Sequence, residues 1–244
     1  MTTESEQSRR QFLLAATATG GGLLAVGASG IGQAAEAGNQ AKSAAPAAED
    51  IAPPEDLMRE HGVLNRILLI YEECLERLHG QKNLELGPLV GSAKIIRTFI
   101  EDYHEKLEED QLFPRFEKAG KLVELVKVLR EQHQAGRRLT DEIMQQAIPA
   151  ALKDTRGMKS LARPIAQFIR MYRPHEARED TVLFPAIRSL MTAKEFDELG
   201  DRFEDREHQL FGAHGFENIV AQVAEFERTL GIYQLSQFTP KLGP

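Results

Sequence analysis

Two segments of this chain repeat one pattern that is rich in side chains able to bind a metal. One segment runs from His104 to Pro114 and the other from His175 to Pro185, and both read His-x3-Glu-acid-x2-Leu-Phe-Pro. The two copies are 71 residues apart. An internal repeat that keeps histidine and glutamate in register is hard to obtain by chance, so it indicates two copies of one structural unit.

Two further histidines extend the repeat. His61 and His133 are 72 residues apart, so each unit offers one isolated histidine and one His-x3-Glu pair. Residues four apart lie above one another on a helix face, so His104 and Glu108 can hold one ion from a single helix. The second copy of the pattern can do the same.

The surroundings of these residues favour a metal site over ordinary polar residues. Four of the six candidates fall in apolar helix seams, whereas His104 and Glu108 lie on a flank. Burying a polar group without a partner costs about 2–7 kcal/mol. One such histidine alone would be an ordinary hydrogen-bonded core residue, and a lone His-x3-Glu is common on helix surfaces, but the doubled pattern favours a metal. The predicted ligands are His61, His104, Glu108, His133, His175 and Glu179.

The ligand types narrow the choice of metal. The set contains imidazole and carboxylate but no thiolate, which suits iron, manganese or zinc. Carboxylate-bridged pairs inside helix bundles are most often di-iron, then di-manganese. The sequence therefore predicts two iron ions, with manganese or zinc less favoured.

Five residues near this set are given other roles. Tyr103 and Tyr172 lie within one turn of predicted ligands, where they either pack in the core, which is the favoured interpretation, or donate hydrogen bonds to groups that hold the ligands. The remaining histidines are expected at the surface or at helix ends: His79, His208 and His214.

Four long amphipathic helices must position the predicted ligands. Apolar residues recur in alternating steps of three and four along each, as in a bundle. The sequence predicts an all-α protein, an up-down-up-down four-helix bundle of two similar hairpins, with additional C-terminal helices packed on its outside. The helices are expected to begin at Pro53, near Pro88, near Lys121 and after Asp154-Thr155; Pro114 should break or kink the second, and Pro174 should kink the fourth.

The chain divides into four predicted regions. They are a signal peptide over residues 1–37, a flexible linker over 38–53, the helix bundle over 54–190 and a C-terminal helical extension over 191–244. The first region carries Ser8-Arg9-Arg10 followed by Phe12-Leu13, ahead of a weakly apolar, uncharged stretch. This layout resembles a twin-arginine (Tat) export signal, so we expect the Tat machinery as a partner and a periplasmic location. The alternative is an uncleaved membrane anchor, which the glycines in that stretch disfavour.

The overall composition excludes some functions. The chain has 244 residues, of which 42% are hydrophobic and 27% charged, and its net charge is −7. Nucleic-acid binding needs a basic surface, so no nucleic-acid partner is expected. The single cysteine rules out an intramolecular disulfide.

The six candidate residues and their repeated pattern resemble the hemerythrin-like family, the bacterial hemerythrin HHE cation-binding domain, over about residues 54–190. The resemblance implies a non-haem di-iron centre bridged by carboxylates and by an oxo or hydroxo group, with the six residues as iron ligands. It implies binding of O2 or a related small molecule such as NO or peroxide. An enzyme that reduces peroxide or NO, or that handles iron, is the alternative, and whether the protein is an enzyme stays open.

The chain departs from the oxygen carriers of that family at two positions. Arg137 stands four residues after His133, where the carriers have a second histidine. The acid of the fourth helix follows His175 at the spacing of Glu179, whereas the carriers have a longer His-to-Asp spacing. Both departures argue against reversible oxygen carriage. A module without metal, acting only through protein contacts, is a third hypothesis, which metal analysis would test.

Overall fold

A computed structural model of the chain describes residues 51–241, and the predicted signal peptide lies outside them. The described part is all-α and contains no β-strand. Six helices follow one another: α1, Pro53–His79; α2, a continuous run of Leu86–Ile95, Ile96–His104, Glu105–Leu107, Glu108–Leu112 and Phe113–Ala119; α3, Val123–Gln146; α4, a run of Thr155–Arg178, Glu179–Leu183 and Phe184–Ile187; α5, Ala193–Phe211; and α6, Gly215–Leu230. Short 3-10 segments lie at Pro149–Leu152, Arg188–Leu190 and Leu235–Phe238.

The ends of the helices follow local sequence signals. α1 has proline in its first turn, where the missing N–H has no helical partner to lose, and acids beside the positive end of the helix dipole. It ends at His79, and the N–H of the following Gly80 donates to the carbonyl of Glu76 at 2.9 Å. α4 begins after Asp154, whose side chain accepts from the Gly157 N–H at 2.8 Å. The predicted starts of α1 and α4 are therefore confirmed.

Of the break or kink predicted at Pro114, the break is wrong, because α2 continues through this residue to Ala119. The five residues before the Phe113–Ala119 segment, Glu108–Leu112, form a π-helical turn with hydrogen bonds five residues back. A wider turn accommodates the proline ring and its missing N–H, which would otherwise break a regular α-helix. α4 repeats the arrangement, with a π turn at Glu179–Leu183 ahead of Pro185.

The helices pack around a shared apolar core. α4 lies against both α1 and α3, and α6 lies against α1 and α2. The approach of α6 to α2 is close at Gly91, because a Cβ added there would lie 2.3 Å from Cζ of Phe226. The C-terminal helices therefore contact the preceding ones, and their predicted place on the outside of a four-helix bundle stays a prediction. None of the helices between residues 51 and 241 has the length and apolar character needed to cross a bilayer.

Candidate metal centre

All six predicted ligands lie in the interior, and α1 to α4 each contribute at least one. They are at most 4% exposed. They form two groups, each with its ligand atoms within 4.8 Å of one another. Half-site A consists of His61, His104 and Glu108, and half-site B consists of His133, His175 and Glu179. Their role as ligands stays a prediction, but the structure brings together all of the residues that the sequence named.

The two glutamates connect the half-sites. Glu108 Oε1 lies 3.8 Å from His104 Nε2 in half-site A, and its Oε2 lies 3.4 Å from His133 Nε2 in half-site B. Glu179 Oε2 lies 3.1 Å from His175 Nε2 and 3.5 Å from His61 Nε2. Each carboxylate therefore lies between histidines of both half-sites and could offer an oxygen to a cation in either one.

Two carboxylates orient the histidines of half-site A. His61 Nδ1 lies 2.7 Å from Asp180 Oδ1, and His104 Nδ1 lies 2.7 Å from Glu60 Oε2. An ionised carboxylate can only accept a hydrogen bond, so each ring donates its Nδ1–H and presents the lone pair of Nε2 to the interior. Histidines that bind a metal commonly have this arrangement.

Half-site B is oriented in the same way but with a different pair of acceptors. His133 Nδ1 lies 3.1 Å from Glu109 Oε1, and His175 Nδ1 lies 2.9 Å from the amide oxygen Oε1 of Gln132. All four Nε2 atoms are therefore left to face the centre. The acceptors come from neighbouring helices, so the packing of the helices fixes the direction of every ring.

The contacts inside the centre are unfavourable without a cation. His61 Nε2 and His104 Nε2 lie 3.0 Å apart, and in these tautomers both atoms carry lone pairs. Both carboxylate oxygens of Glu108 and Glu179, and Nε2 of His133, are buried without a hydrogen-bond partner among residues 51–241. Each such atom destabilises the fold by about 1–3 kcal/mol, and charged groups by more. Metal cations would satisfy all of these atoms, and the imidazole and carboxylate donors fit iron, manganese or zinc.

The metal-free centre has strongly perturbed acid–base properties. Burial raises the pKa of Glu108 well above its ordinary value, and the nearby charge of Glu179 raises it further. Burial lowers the pKa of His104 well below its ordinary value, and the neighbouring histidines add to this effect. Ligands must lose their protons to bind a metal, so metal binding at this centre would be linked to proton release.

The predicted flank position of His104 and Glu108 is wrong, because both are buried with 1% or less exposed. A π-helical segment, Ile96–His104, ends at the first residue, and another, Glu108–Leu112, begins at the second. A π turn holds more residues than an α turn, so it rotates the following positions around the helix axis. A seam drawn with a period of 3.6 residues misses this rotation.

Four residues that orient the histidines were not among those predicted from the sequence. These are Glu60, Glu109, Gln132 and Asp180. The internal repeat could have identified them. Glu109 and Asp180 are the acids of the His-x3-Glu-acid pattern, and Glu60 and Gln132 directly precede the two isolated histidines. Residues at matching positions of the two units therefore perform matching tasks.

Tyr103 and Tyr172 combine the two roles considered for them. Both are fully buried core residues. The hydroxyl of Tyr103 donates to Glu60 Oε1 at 3.0 Å, and that of Tyr172 donates to Glu105 Oε1 at 2.7 Å. Tyr103 thus contacts the carboxylate that orients His104. The other three histidines lie outside both half-sites and are exposed or half-buried, as predicted: His79, His208 and His214.

Known proteins match this chain in two ways. Residues 52–156 match the family Hemerythrin HHE cation binding domain. That region contains His61, His104, Glu108 and His133, whereas the ligands on α4 lie beyond it. An uncharacterized protein of Mycobacterium bovis and uncharacterized proteins of two Mycobacterium tuberculosis strains are each 49% identical to the chain over 232 residues, which cover 95% of this chain and 91% of each relative. No solved structure matches the chain.

Proposed function

The chain belongs to one family with these mycobacterial proteins and carries a hemerythrin HHE cation-binding region, and from that premise we propose that it is a non-haem di-iron protein that binds O2 or a related small molecule such as NO or peroxide. One observation carries the proposal. The buried oxygens of Glu108 and Glu179 lie among the Nε2 atoms of four histidines and have no hydrogen-bond partner in the part of the chain that the structure describes.

The donor set supports iron and a small-molecule ligand. Each half-site offers two imidazoles and one glutamate. Two histidines and one carboxylate, with coordination positions left open, are typical of non-haem iron sites that react with oxygen. Iron bound here would supply such open positions, and the protein would orient the ligands and exclude water from the buried centre.

Arg137 supports a role other than stable oxygen carriage. Its Nη2 lies 2.9 Å from Glu105 Oε2 and 2.9 Å from Glu109 Oε1, so the guanidinium is an ion-pair partner of outer acids. Arginine cannot bind a metal, so half-site B lacks the third histidine of the oxygen carriers. Open positions on both ions would also suit an enzyme that reduces peroxide or NO, which is the second candidate function.

Metal analysis of protein purified without oxygen tests the proposal. We expect about two equivalents of iron per chain and an absorption band that appears on exposure to O2. His133→Ala should lower the iron content, and His208→Ala, outside both half-sites, should leave it unchanged. Fewer than one equivalent in the unmodified protein would refute the proposal. A band that reverses when O2 is removed favours binding, whereas turnover of peroxide or NO that His104→Ala abolishes favours the enzyme.

The proposal includes an up-down-up-down order for the four helices that carry the ligands. The connections after α1, α2 and α3 are short, and α4 packs on both α1 and α3. Short connections favour antiparallel neighbours in a bundle. Each hairpin would then provide one half of the repeat.

Export to the periplasm is a separate part of the proposal. It rests on Arg9 and Arg10 and on the uncharged stretch that follows them. Changing both arginines to lysine should retain the protein inside the cell and leave its iron content intact. Unchanged export of that variant would exclude the twin-arginine route.

A further inference from the structure

We propose that the two half-sites are unequal, that half-site A holds its ion more tightly than half-site B, and that Gln132 is the positioning residue that weakens half-site B. This inference rests on the proposed function, because it concerns the same pair of ions. It follows from the groups that hold the Nδ1 atoms of the histidines.

Glu60 and Gln132 occupy equivalent positions in the two units but differ in charge. Each directly precedes an isolated histidine and accepts a hydrogen bond from the histidine of a His-x3-Glu pair. Glu60 offers a carboxylate to His104, whereas Gln132 offers a neutral amide to His175. A carboxylate acceptor raises the basicity of a metal-binding imidazole, and its hydrogen bond is stronger than that of an amide.

The second pair of acceptors adds to the difference. Glu109 in half-site B lies 2.9 Å from Arg137 Nη2 and 3.1 Å from Lys106 Nζ. Asp180 in half-site A forms an ion pair only with His61 among residues 51–241. Two cations therefore share the charge of Glu109, and less of it acts on His133. A third carboxylate, that of Glu105, lies 4.0 Å from His133 Nδ1, beyond hydrogen-bond distance, and is itself paired with Arg137 at 2.9 Å. Half-site A thus has two carboxylate acceptors at hydrogen-bond distance, whereas half-site B has one partly neutralised carboxylate and one amide.

Gln132 can be changed without disturbing the core. Its side chain is half-buried on α3. A glutamate there keeps the length of the side chain and can accept the same hydrogen bond from His175. Gln134→Glu is the matched control, because it places the same charge on the same helix at an exposed position.

Calorimetric titration of the chelator-stripped protein with Co2+ under anaerobic conditions measures the two affinities. The unmodified protein should bind two ions in steps whose Kd values differ at least about tenfold, the lower limit of the effect of an outer partner on affinity. Gln132→Glu should lower the Kd of the weaker step about 10-fold or more and leave the tighter step unchanged. Gln134→Glu should change neither step.

Two variants assign the steps to the half-sites. His175→Ala, which disables half-site B, should retain the tighter step, and His61→Ala should retain the weaker one. Two equal steps, a reversed assignment, an unchanged weaker step in Gln132→Glu, or an equal shift in Gln134→Glu would overturn the inference while leaving the metal centre in place. Binding of less than one Co2+ by the unmodified protein would instead refute the proposed function.

Discussion

A buried imidazole has two nitrogens, and the partner of one decides what the other can do. At His61 the ring donates its Nδ1–H to the carboxylate of Asp180 at 2.7 Å, so Nε2 is left as an electron-pair donor. The same logic holds for the other three histidines of the centre. The ligand atoms are therefore oriented before any ion arrives, and the residues that orient them should affect affinity without touching the metal.

At the residue scale, Asp180→Asn tests this orienting role. The variant keeps a hydrogen-bonding group but loses the charge, so we expect metal affinity at half-site A to fall about 10–100-fold. Calorimetric titration with Co2+ measures this change. Asp197→Asn, at an exposed position on α5, removes the same charge away from the histidines and should bind as the unmodified protein does. Equal affinities in the two variants would contradict the role.

A second residue-scale prediction concerns Glu101, which is fully buried on α2. Burial raises its pKa from 4.5 to about 7, and Glu105 contributes, against the opposing hydrogen bond from Thr140 and the charge of Arg97. Between these two pH values the folded chain keeps a proton that the unfolded chain releases. This group therefore makes stability fall as the pH rises from about 4.5 to 7.

Glu101→Gln removes that dependence and keeps an oxygen for the Thr140 hydroxyl, which donates to Glu101 at 2.6 Å. Relative to the unmodified protein, the variant should gain up to about 3 kcal/mol in free energy of unfolding between pH 5 and 7.5. Urea denaturation of the metal-free proteins at several pH values measures the gain. For the exposed Glu142→Gln, the difference in free energy of unfolding from the unmodified protein should not change with pH. If the difference for Glu101→Gln did not change with pH either, the raised pKa of Glu101 would be contradicted.

At the element scale, helix starts could be predicted from the sequence because their signals are local. The side of a helix on which a residue lies could not always be predicted, because it depends on the helical period. Pro53 and Asp154 mark the starts of α1 and α4 as their residue types require. The π turns of α2 could not be read from apolar spacing, which assumes a constant period, and so His104 was placed on a flank. The six candidate ligands were found because the repeat aligns them. Their orienting partners lie on other helices, and only packing shows which partner meets which ring.

A glycine on α3 sets the distance to α4. A Cβ at Gly136 would lie 2.0 Å from the Tyr172 hydroxyl oxygen, which donates to Glu105. Gly136→Ala should therefore separate the two helices and destabilise the protein by about 1–3 kcal/mol, although alanine is the better helix former. Thermal unfolding followed by circular dichroism measures the loss.

The matched control for this prediction is Gly62→Ala on α1, where a Cβ would meet no atom of residues 51–241 within 4 Å. Helix propensity alone should then stabilise the protein by about 0.5–1 kcal/mol. The two alanines thus change stability in opposite directions. A gain of stability in Gly136→Ala would show that the contact with Tyr172 does not restrict the spacing of α3 and α4.

At the scale of the whole molecule, the C-terminal helices cover the side of half-site A. The rings of Phe211 and Phe216 pack on Phe99, and Phe211 also packs on Tyr103, which holds Glu60. The Phe216 N–H donates to Glu207 Oε1 at 3.0 Å, and this hydrogen bond links the start of α6 to the end of α5. The extension is thus continuous with the core around the predicted metal centre.

Because the predicted ligands of the centre come from four helices, metal binding should stabilise the whole fold. An ion that binds only the folded chain adds about 4 kcal/mol when its free concentration is 1,000 times its Kd. For a chain of this size that corresponds to roughly 10 °C in Tm. Adding Fe2+ anaerobically to chelator-treated protein should raise the Tm by about this amount. The double variant His61→Ala/His175→Ala, which removes one histidine from each half-site, should show little or no rise. An equal rise in both proteins would mean that the stabilising ion binds outside the buried centre, because neither half-site of the variant keeps its pair of imidazoles.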